Sequence, residues 1–174
     1  MPKSSQEQIE HDEKKVIKIL QTNADTSIDN IAKKSGFSRQ KVWRIKKRLE
    51  ENKTIWGYCA ITDDAKLGLE RYIMLFKSST QPVKGSIKKV IDLSVQKRGE
   101  GIGVDIISGG YLHGKYDWAV VFTAKNIKVA TKLKEILLTE YPKMIGEIEL
   151  MEYIFPLKES RLENPDIDKI REFF

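Results

Sequence analysis

Two short amphipathic segments flank a glycine in residues 27–51, and this pattern constrains the fold more than any other feature of the chain. Ser27 and Ser38 are favourable N-caps for the two segments, and Gly36 can adopt the left-handed conformation that ends a helix. The apolar residues that recur at helical spacing are Ile28, Ile31, Ala32, Val42, Ile45 and Leu49. We therefore predict two helices joined by a tight turn, the second ending near Glu51.

A further amphipathic segment precedes this pair of helices. Between His11 and Ala24, apolar residues fall among charged ones at helical spacing. A helix that packs against two others joined by a glycine turn is typical of a helix-turn-helix domain. Residues 54–61 come next, and because they are rich in β-branched and aromatic side chains we predict a strand there, as in the winged form of this domain.

The second half of the chain has a different order of patterns. We assign strands to residues 71–77, 104–112, 118–124 and 145–155, and helices to residues 84–97 and 126–140. Gly99, Gly101 and Gly103 mark a loop between the first helix and the second strand. The order β-α-β-β-α-β predicts a ferredoxin-like domain, in which two helices cover one face of an antiparallel sheet. The predicted fold class is therefore α+β.

These patterns divide the chain into three parts. We predict a helix-turn-helix domain in residues 1–60, a ferredoxin-like domain in residues 61–158 and a tail in residues 159–174. In the tail, Asn164 or Asp166 could cap a final amphipathic helix that ends at Phe174.

Positive charge is concentrated in the first domain. The formal net charge is +6, and residues 1–60 contain 13 Lys or Arg against 8 Asp or Glu, whereas the other residues contain 18 against 17. A basic domain attached to a near-neutral one favours a polyanionic partner for the first domain only. A solvated basic surface without a partner is the alternative.

The exposed side of the helix that starts after Ser38 carries much of this charge. Such a helix fits the major groove of double-stranded DNA. The candidate DNA-binding residues are Ser38, Arg39, Gln40, Lys41, Trp43, Arg44, Lys47 and Arg48. Arginine and glutamine can make bidentate hydrogen bonds to guanine and adenine, so Arg39, Gln40 and Arg44 are candidates for base contacts.

The other candidates in this helix have different expected roles. Lys41, Lys47 and Arg48 are placed for contacts with phosphates, which hold register without reading sequence. Ser38 can donate to a phosphate at the start of the helix. Trp43 could contact a thymine methyl group or pack against a neighbouring helix, and the sequence leaves both interpretations open.

Residues 21–68 resemble the DNA-binding half of the Lrp/AsnC family, the feast/famine regulators of bacteria and archaea. The residues that carry the resemblance are Ser27, Ala32, Gly36, Phe37, Ser38, Val42, Arg44, Lys47, Arg48, Leu49, Glu50, Ile55, Gly57, Tyr58, Leu67 and Gly68. The resemblance continues to about Glu159, and residues 114–118 are similar to the Gly-x-Tyr-Asp turn of the family.

The resemblance implies a transcription regulator that binds promoter or operator DNA. Members of the family form homodimers through their second half, and the dimers often assemble into higher oligomers. Many respond to an amino acid bound between dimers, which implies a small-molecule effector site at His113, Gly114, Tyr116 and Asp117. A purely structural turn is the alternative for these four residues, and no other cofactor is expected.

Four positions depart from the pattern of the family. Ile45 stands where an arginine is usual, and Lys46 stands where an apolar residue is usual, so we expect the stem of Lys46 to lie along the edge of the core. Lys53 replaces a glycine before the predicted strand. His113 replaces a Thr or Ser beside the presumed effector site.

Two other classes of function share parts of this pattern. Sirohaem decarboxylases have the same two-part architecture, but this chain has the sequence 111–116 where those enzymes carry a His-x-Tyr-x-Arg type run, and it lacks the arginine. His113 and Asp117 could move protons or bind a metal, yet the other histidine, His11, lies in the first domain, so we expect neither a catalytic nor a metal site. A DNA-architectural protein without an effector is the third hypothesis.

The remaining features concern the compartment. Cys59 is the single cysteine and cannot form an internal disulfide, so we expect a buried, reduced residue in the cytoplasm. The sequence contains no run of about 18 apolar residues and no apolar signal core near its start, so neither a membrane partner nor export is expected.

Overall fold

The computed structural model describes residues 6–79 and 95–173, which divide into two compact units. The first unit comprises the chain up to Ile61 together with Leu157–Lys169, and the second comprises Thr62–Pro156 together with the residues from Ile170 onward. Each unit has its own cluster of buried apolar side chains.

The α-helices of the first unit, within the described residues, are α1 (Gln6–Thr22), α2 (Ile28–Ser35) and α3 (Arg39–Glu51). The predicted caps are confirmed, since the hydroxyl of Ser27 accepts a hydrogen bond from the Asn30 amide and that of Ser38 accepts one from the Lys41 amide. Gly36 ends α2 with a φ of 73°. The buried core consists of Val16, Leu20, Ile31, Ala32, Val42, Ile45 and Leu49. The predicted helix-turn-helix is therefore present.

Residues 54–61 do not form the predicted strand. Strand formation requires a neighbouring strand to receive the backbone hydrogen bonds, and among the described residues none pairs with this segment. Trp56 is 95% exposed, and Cys59 is exposed as well, so the expectation of a buried cysteine was also wrong. High β-propensity predicted a strand here, but propensity reports how well a side chain packs in a sheet rather than whether a sheet is present.

Lys53 lies just after α3 with a φ of 59°, in the left-handed region that favours glycine. The backbone amide of Lys53 donates to the carbonyl of Glu50 at 3.1 Å, which closes the end of the helix. The lysine therefore adopts at this turn a conformation that a glycine would adopt without steric cost.

We expect Lys53→Gly to raise the free energy of unfolding by about 1 kcal/mol. A residue with a Cβ atom in the left-handed region costs roughly 1–2 kcal/mol, and the greater entropy of glycine in the unfolded chain cancels part of the gain. Urea denaturation of the parent and the variant measures the difference. Lys53→Ala keeps the Cβ atom and should show no such gain, so equal stabilities of the two variants would contradict the argument.

The second unit is a four-stranded antiparallel sheet with helices on one face. Its elements are β1 (Glu70–Ser78), α4 (Val95–Glu100), β2 (Asp105–Tyr111), β3 (Trp118–Ala124), α5 (Ile127–Glu140) and β4 (Ile145–Glu152). The strand order is β2-β3-β1-β4, with β1 paired to β3 and β4. The four predicted strands and the second predicted helix are confirmed, and the arrangement is ferredoxin-like.

The side chains of the strands alternate between the two faces of this sheet. Tyr72, Met74, Phe76 and Phe122 are fully buried on the face that also receives the buried residues of α5. On the other face, Ile73 and Leu75 of β1 and Val121 of β3 are only half-buried, whereas Thr123 is buried. The core of the unit therefore lies between the sheet and its helices.

The first helix of this unit was predicted only in part. Residues 84–94 of the predicted helix lie outside the described residues. Gly99 belongs to α4 and not to the predicted loop, and it is buried where a Cβ atom would lie 3.1 Å from the carbonyl oxygen of Val104. Glycine is thus required here because two backbone segments approach closely. In the sequence, such a glycine looks the same as a glycine in a loop.

The tail also differs from its prediction. In place of an amphipathic α-helix over Asn164–Phe174, the structure has a 3-10 helix over Ile167–Glu172, and Phe174 lies outside the described residues. The side chain of Asn164 accepts a hydrogen bond from the amide of Asp166 at 2.8 Å, which forms a turn rather than a helix start. A small unpredicted hairpin, β5 (Lys158–Glu159) and β6 (Leu162–Glu163), precedes it. No helix within the described ranges is both long and apolar enough to cross a membrane.

Candidate nucleic-acid interface

One side of α3 faces away from the core of the first unit and forms the candidate interface. Because Val42, Ile45 and Leu49 are buried, the 3.6-residue period of the helix places Gln40, Trp43, Arg44 and Lys47 on the opposite side, and all four are exposed. We call these four residues the outward stripe. They lie together as the sequence predicted.

The members of the outward stripe have few intramolecular partners. Among the described residues, no carboxylate pairs with Arg44. Lys47 makes only a long contact of 3.7 Å with Glu51, and its ammonium lies 5.2 Å from the centre of the Trp43 ring. Trp43 is 55% exposed, which favours its interpretation as a surface residue over packing against a neighbouring helix. The stripe thus presents cations and hydrogen-bond donors to solvent.

Two other predicted contact residues lie on the flank of α3 that faces α1. The Lys41 Nζ is 2.6 Å from a carboxylate oxygen of Asp12, and the Arg48 Nε is 2.6 Å from one of Glu13. Lys41 also lies over the Phe37 ring, 4.0 Å from its centre. Both cations are therefore held by α1, which their positions in the sequence of α3 do not reveal.

Sequence reasoning missed Asp12, the carboxylate that pairs with Lys41. It is 5% exposed and lies one and two helical turns before Val16 and Leu20, so it occupies a position of the apolar stripe of α1. Burial raises the pKa of Asp12, but hydrogen bonds from Lys41 and Gln8 outweigh it, so the pKa lies below the ordinary value. A carboxylate in an apolar stripe was the signal, because such a group requires a buried partner.

Two residues at the start of α3 are placed differently. Arg39 is exposed, and its guanidinium pairs with Asp29 of α2 at 2.8 Å. Ser38 caps the helix and remains exposed, so its hydroxyl can accept from the Lys41 amide and still donate outward. Arg39 therefore has a carboxylate partner within the first unit, which Arg44 does not have among the described residues.

The other flank of α3 explains how the two departures from the family pattern are accommodated. Ile45 is buried in the core. The ammonium of Lys46 lies 4.8 Å from the centre of the Tyr58 ring and 3.9 Å from Glu50. Tyr58 donates to that same carboxylate, and burial together with Glu50 raises the pKa of Tyr58 to about 12. Lys46 is half-buried, and its ammonium interacts with Tyr58 and Glu50.

The four candidate effector residues lie between β2 and β3. His113 and Gly114 are exposed, whereas Tyr116 and Asp117 are half-buried. The hydroxyl of Tyr116 donates to Glu149 of β4. The turn thus has two solvent-facing members and two members anchored in the sheet.

Asp117 has a clear structural contact. Its carboxylate accepts a hydrogen bond from the Ser78 amide at 2.5 Å, at the irregularity in the pairing of β1 with β4. This backbone hydrogen bond holds the pKa of Asp117 below its ordinary value. The residue therefore caps the end of β1, whether or not it also contacts an effector.

The half-buried face of the sheet carries a group of apolar side chains. Ile73 lies opposite Val121 of β3 and Met151 of β4, and residues that pair in this way share a face. Leu75 is the next residue of β1 on the same side. We call Ile73, Leu75, Val121 and Met151 the helix-free face, because the buried side chains of the helices in the described residues pack on the opposite face.

Comparison with a family model assigns the first unit independently. Residues 13–55 match the family described as winged helix-turn-helix DNA-binding. No curated protein matches the chain in sequence.

Comparison with solved structures identifies the fold over most of the chain. The protein PH0061 is 24% identical, with a TM-score of 0.70, over 91% of this chain and 98% of that chain. An AsnC family transcriptional regulator from Agrobacterium tumefaciens is 15% identical, with a TM-score of 0.66, over 85% and 92%. The feast or famine regulatory protein Rv3291c from M. tuberculosis, complexed with L-methionine, is 15% identical, with a TM-score of 0.68, over 90% and 99%. The chain therefore shares the fold of AsnC-type regulators.

Proposed function

We propose that this chain is a sequence-specific, DNA-binding transcription regulator of the Lrp/AsnC type. The observation that carries the proposal is the outward stripe, which presents Gln40, Arg44 and Lys47 on the second helix of a helix-turn-helix. A helix with this exterior fits the major groove, where its side chains can reach base edges. The match of residues 13–55 to a DNA-binding family and the shared fold support the proposal.

The proposal includes a homodimer formed through the helix-free face. The four apolar side chains of this face lie together and are not fully buried within the chain, which favours their burial against a partner. A two-fold dimer presents two copies of α3, so the operator should be a partial palindrome with half-sites about 34 Å, or a multiple of that distance, apart. The resemblance to the family extends the proposal to assembly of dimers into a higher oligomer.

The proposal also includes a small effector, an amino acid, that binds at the turn of His113, Gly114, Tyr116 and Asp117. The complex of Rv3291c with L-methionine supports this chemical class. An effector changes DNA affinity only if it binds one state of the assembly better than another.

The test is a binding titration with a duplex of random sequence, followed by fluorescence anisotropy across a series of salt concentrations. We expect binding at low salt and a steep loss as salt rises, because lysine and arginine release counterions from phosphate. Protein that leaves the duplex unbound at low salt would refute the regulator hypothesis. If a panel of amino acids changed neither the affinity for DNA nor the size of the protein oligomer, that result would favour the DNA-architectural hypothesis.

The same preparation separates the regulator from the enzyme hypothesis. A sirohaem decarboxylase would bind sirohaem and release carbon dioxide from it, and a regulator would do neither. The solved structures reported above as regulators support the regulator hypothesis. We therefore expect binding to DNA, and neither binding of sirohaem nor release of carbon dioxide.

A further inference from the structure

We propose that Asp12 and Glu13 of α1 restrain Lys41 and Arg48, so that these two cations of the recognition helix do not bind DNA phosphates. The two carboxylates then set the level of affinity for DNA of any sequence. This inference rests on the proposed function and assigns positioning roles to two acidic residues outside the recognition helix.

The geometry pairs each cation with its own acid. Lys41 and Arg48 are seven residues apart, so they lie two turns apart on one flank of α3, and Asp12 and Glu13 are adjacent in α1. Both nitrogen-to-oxygen distances are 2.6 Å. Two short ion pairs therefore join the same two helices.

Burial determines how firmly each cation is held. The side chain of Asp12 is 7% exposed and that of Glu13 is 18% exposed, whereas the side chains of Lys41 and Arg48 are 38% and 44% exposed. If a cation moved to a phosphate, its acid would remain as an unpaired charge in a poorly solvated position, which is costly. The side chains of Lys41 and Arg48 are partly exposed, so without these ion pairs they could extend into solvent.

The consequence concerns the number of phosphate contacts. The affinity for DNA of any sequence depends on this number. Each phosphate contact makes the slope of the logarithm of affinity against the logarithm of salt concentration steeper by about 0.9. With Lys41 and Arg48 restrained, α3 contributes Arg44 and Lys47 of the outward stripe. Release of one restrained cation should therefore add about one contact.

The test uses Glu13→Gln, with Glu10→Gln as its matched control. Both substitutions remove one negative charge from α1, but the side chain of Glu10 is exposed and hydrogen bonds with Gln6, one turn away in the same helix. On a random duplex, we expect Glu13→Gln to steepen the salt dependence by about 0.9 and to strengthen binding about fivefold near 0.1 M salt. We expect Glu10→Gln to leave the salt dependence unchanged.

A double variant shows whether the effect passes through Arg48. Glu13→Gln combined with Arg48→Ala should return the salt dependence to that of the parent, because neither the free cation nor the free acid is then present. A double variant flatter than the parent by about 0.9 would mean that Arg48 already binds a phosphate, and it would overturn the inference. Thermal unfolding of each variant verifies that the first unit is folded.

The remaining outcomes separate this inference from the proposed function. Equal salt dependences for Glu13→Gln and Glu10→Gln, with a parent protein that binds DNA, would overturn the inference alone. A parent protein that does not bind the duplex would overturn both. Asp12→Asn repeats the measurement for Lys41 and should also steepen the salt dependence.

Discussion

Arg44→Ala should lower the affinity for an operator about 10- to 100-fold, which is within the range expected for losing a bidentate contact with guanine worth about 1–3 kcal/mol. Arg44 lies at the centre of the outward stripe, and among the described residues no carboxylate competes for its guanidinium. On a random duplex the same variant should lose only about fivefold, because one cation near the phosphates is then missing. The ratio of operator to random affinity should therefore fall.

Lys47→Ala is the matched control for this prediction. Lys47 lies on the same stripe one turn later, but an ammonium group contacts a phosphate as a point charge and does not read a base. Its loss should weaken binding to the operator and to the random duplex by similar factors. Operator fragments selected from a random library by the parent protein provide the specific duplex, and anisotropy at constant salt measures both affinities. If Arg44→Ala and Lys47→Ala changed the ratio equally, Arg44 would not be a base-reading residue.

The helix-turn-helix could be predicted because its signals are local. Ser27 and Ser38 cap helices within three residues of themselves, and Gly36 ends one by its own backbone conformation. Such features are encoded in a few consecutive residues, so the sequence alone defines them. The exposure of the outward stripe follows in turn from the period of a single helix.

The division of roles within α3 could not be predicted in the same way. Lys41 and Lys47 look equivalent in the sequence, yet Lys41 pairs with Asp12, which is 29 positions earlier in the chain, and Lys47 does not. An ion pair between helices depends on how those helices pack, and no periodicity within α3 contains that information. The phosphate contact predicted for Lys47 keeps its geometric support, whereas Lys41 and Arg48 each have a carboxylate of α1 as a partner.

The wrong expectations share a related cause. Residues 54–61 have the composition of a strand, but a strand is a property of two segments, and the described residues contain no partner for this one. Gly99 was interpreted as a loop residue, although the close approach of Val104 accounts for it within α4. In both cases the deciding contact lies outside the window in which the pattern was recognised.

Ile73→Glu should convert the proposed homodimer into a monomer. Ile73 is central in the helix-free face, with Val121 and Met151 as its cross-strand neighbours. A two-fold interface contains each residue twice, so the substitution would bury two like charges among apolar side chains. Each unpaired buried charge costs several kcal/mol, so the dimer should weaken by more than about a thousandfold.

Light scattering coupled to size-exclusion chromatography at micromolar concentration measures this change. The parent should elute with at least twice the chain mass of 20.1 kDa, and Ile73→Glu should elute with that mass alone. Ile127→Glu is the matched control, because Ile127 is 47% exposed at the start of α5 and the new charge there should leave the mass unchanged.

A monomer presents one recognition helix and loses the linkage between half-sites, so operator binding should weaken as well. An Ile73→Glu protein that kept the parent mass would exclude the helix-free face as the dimer interface, because two carboxylates could not remain unpaired in a buried apolar contact.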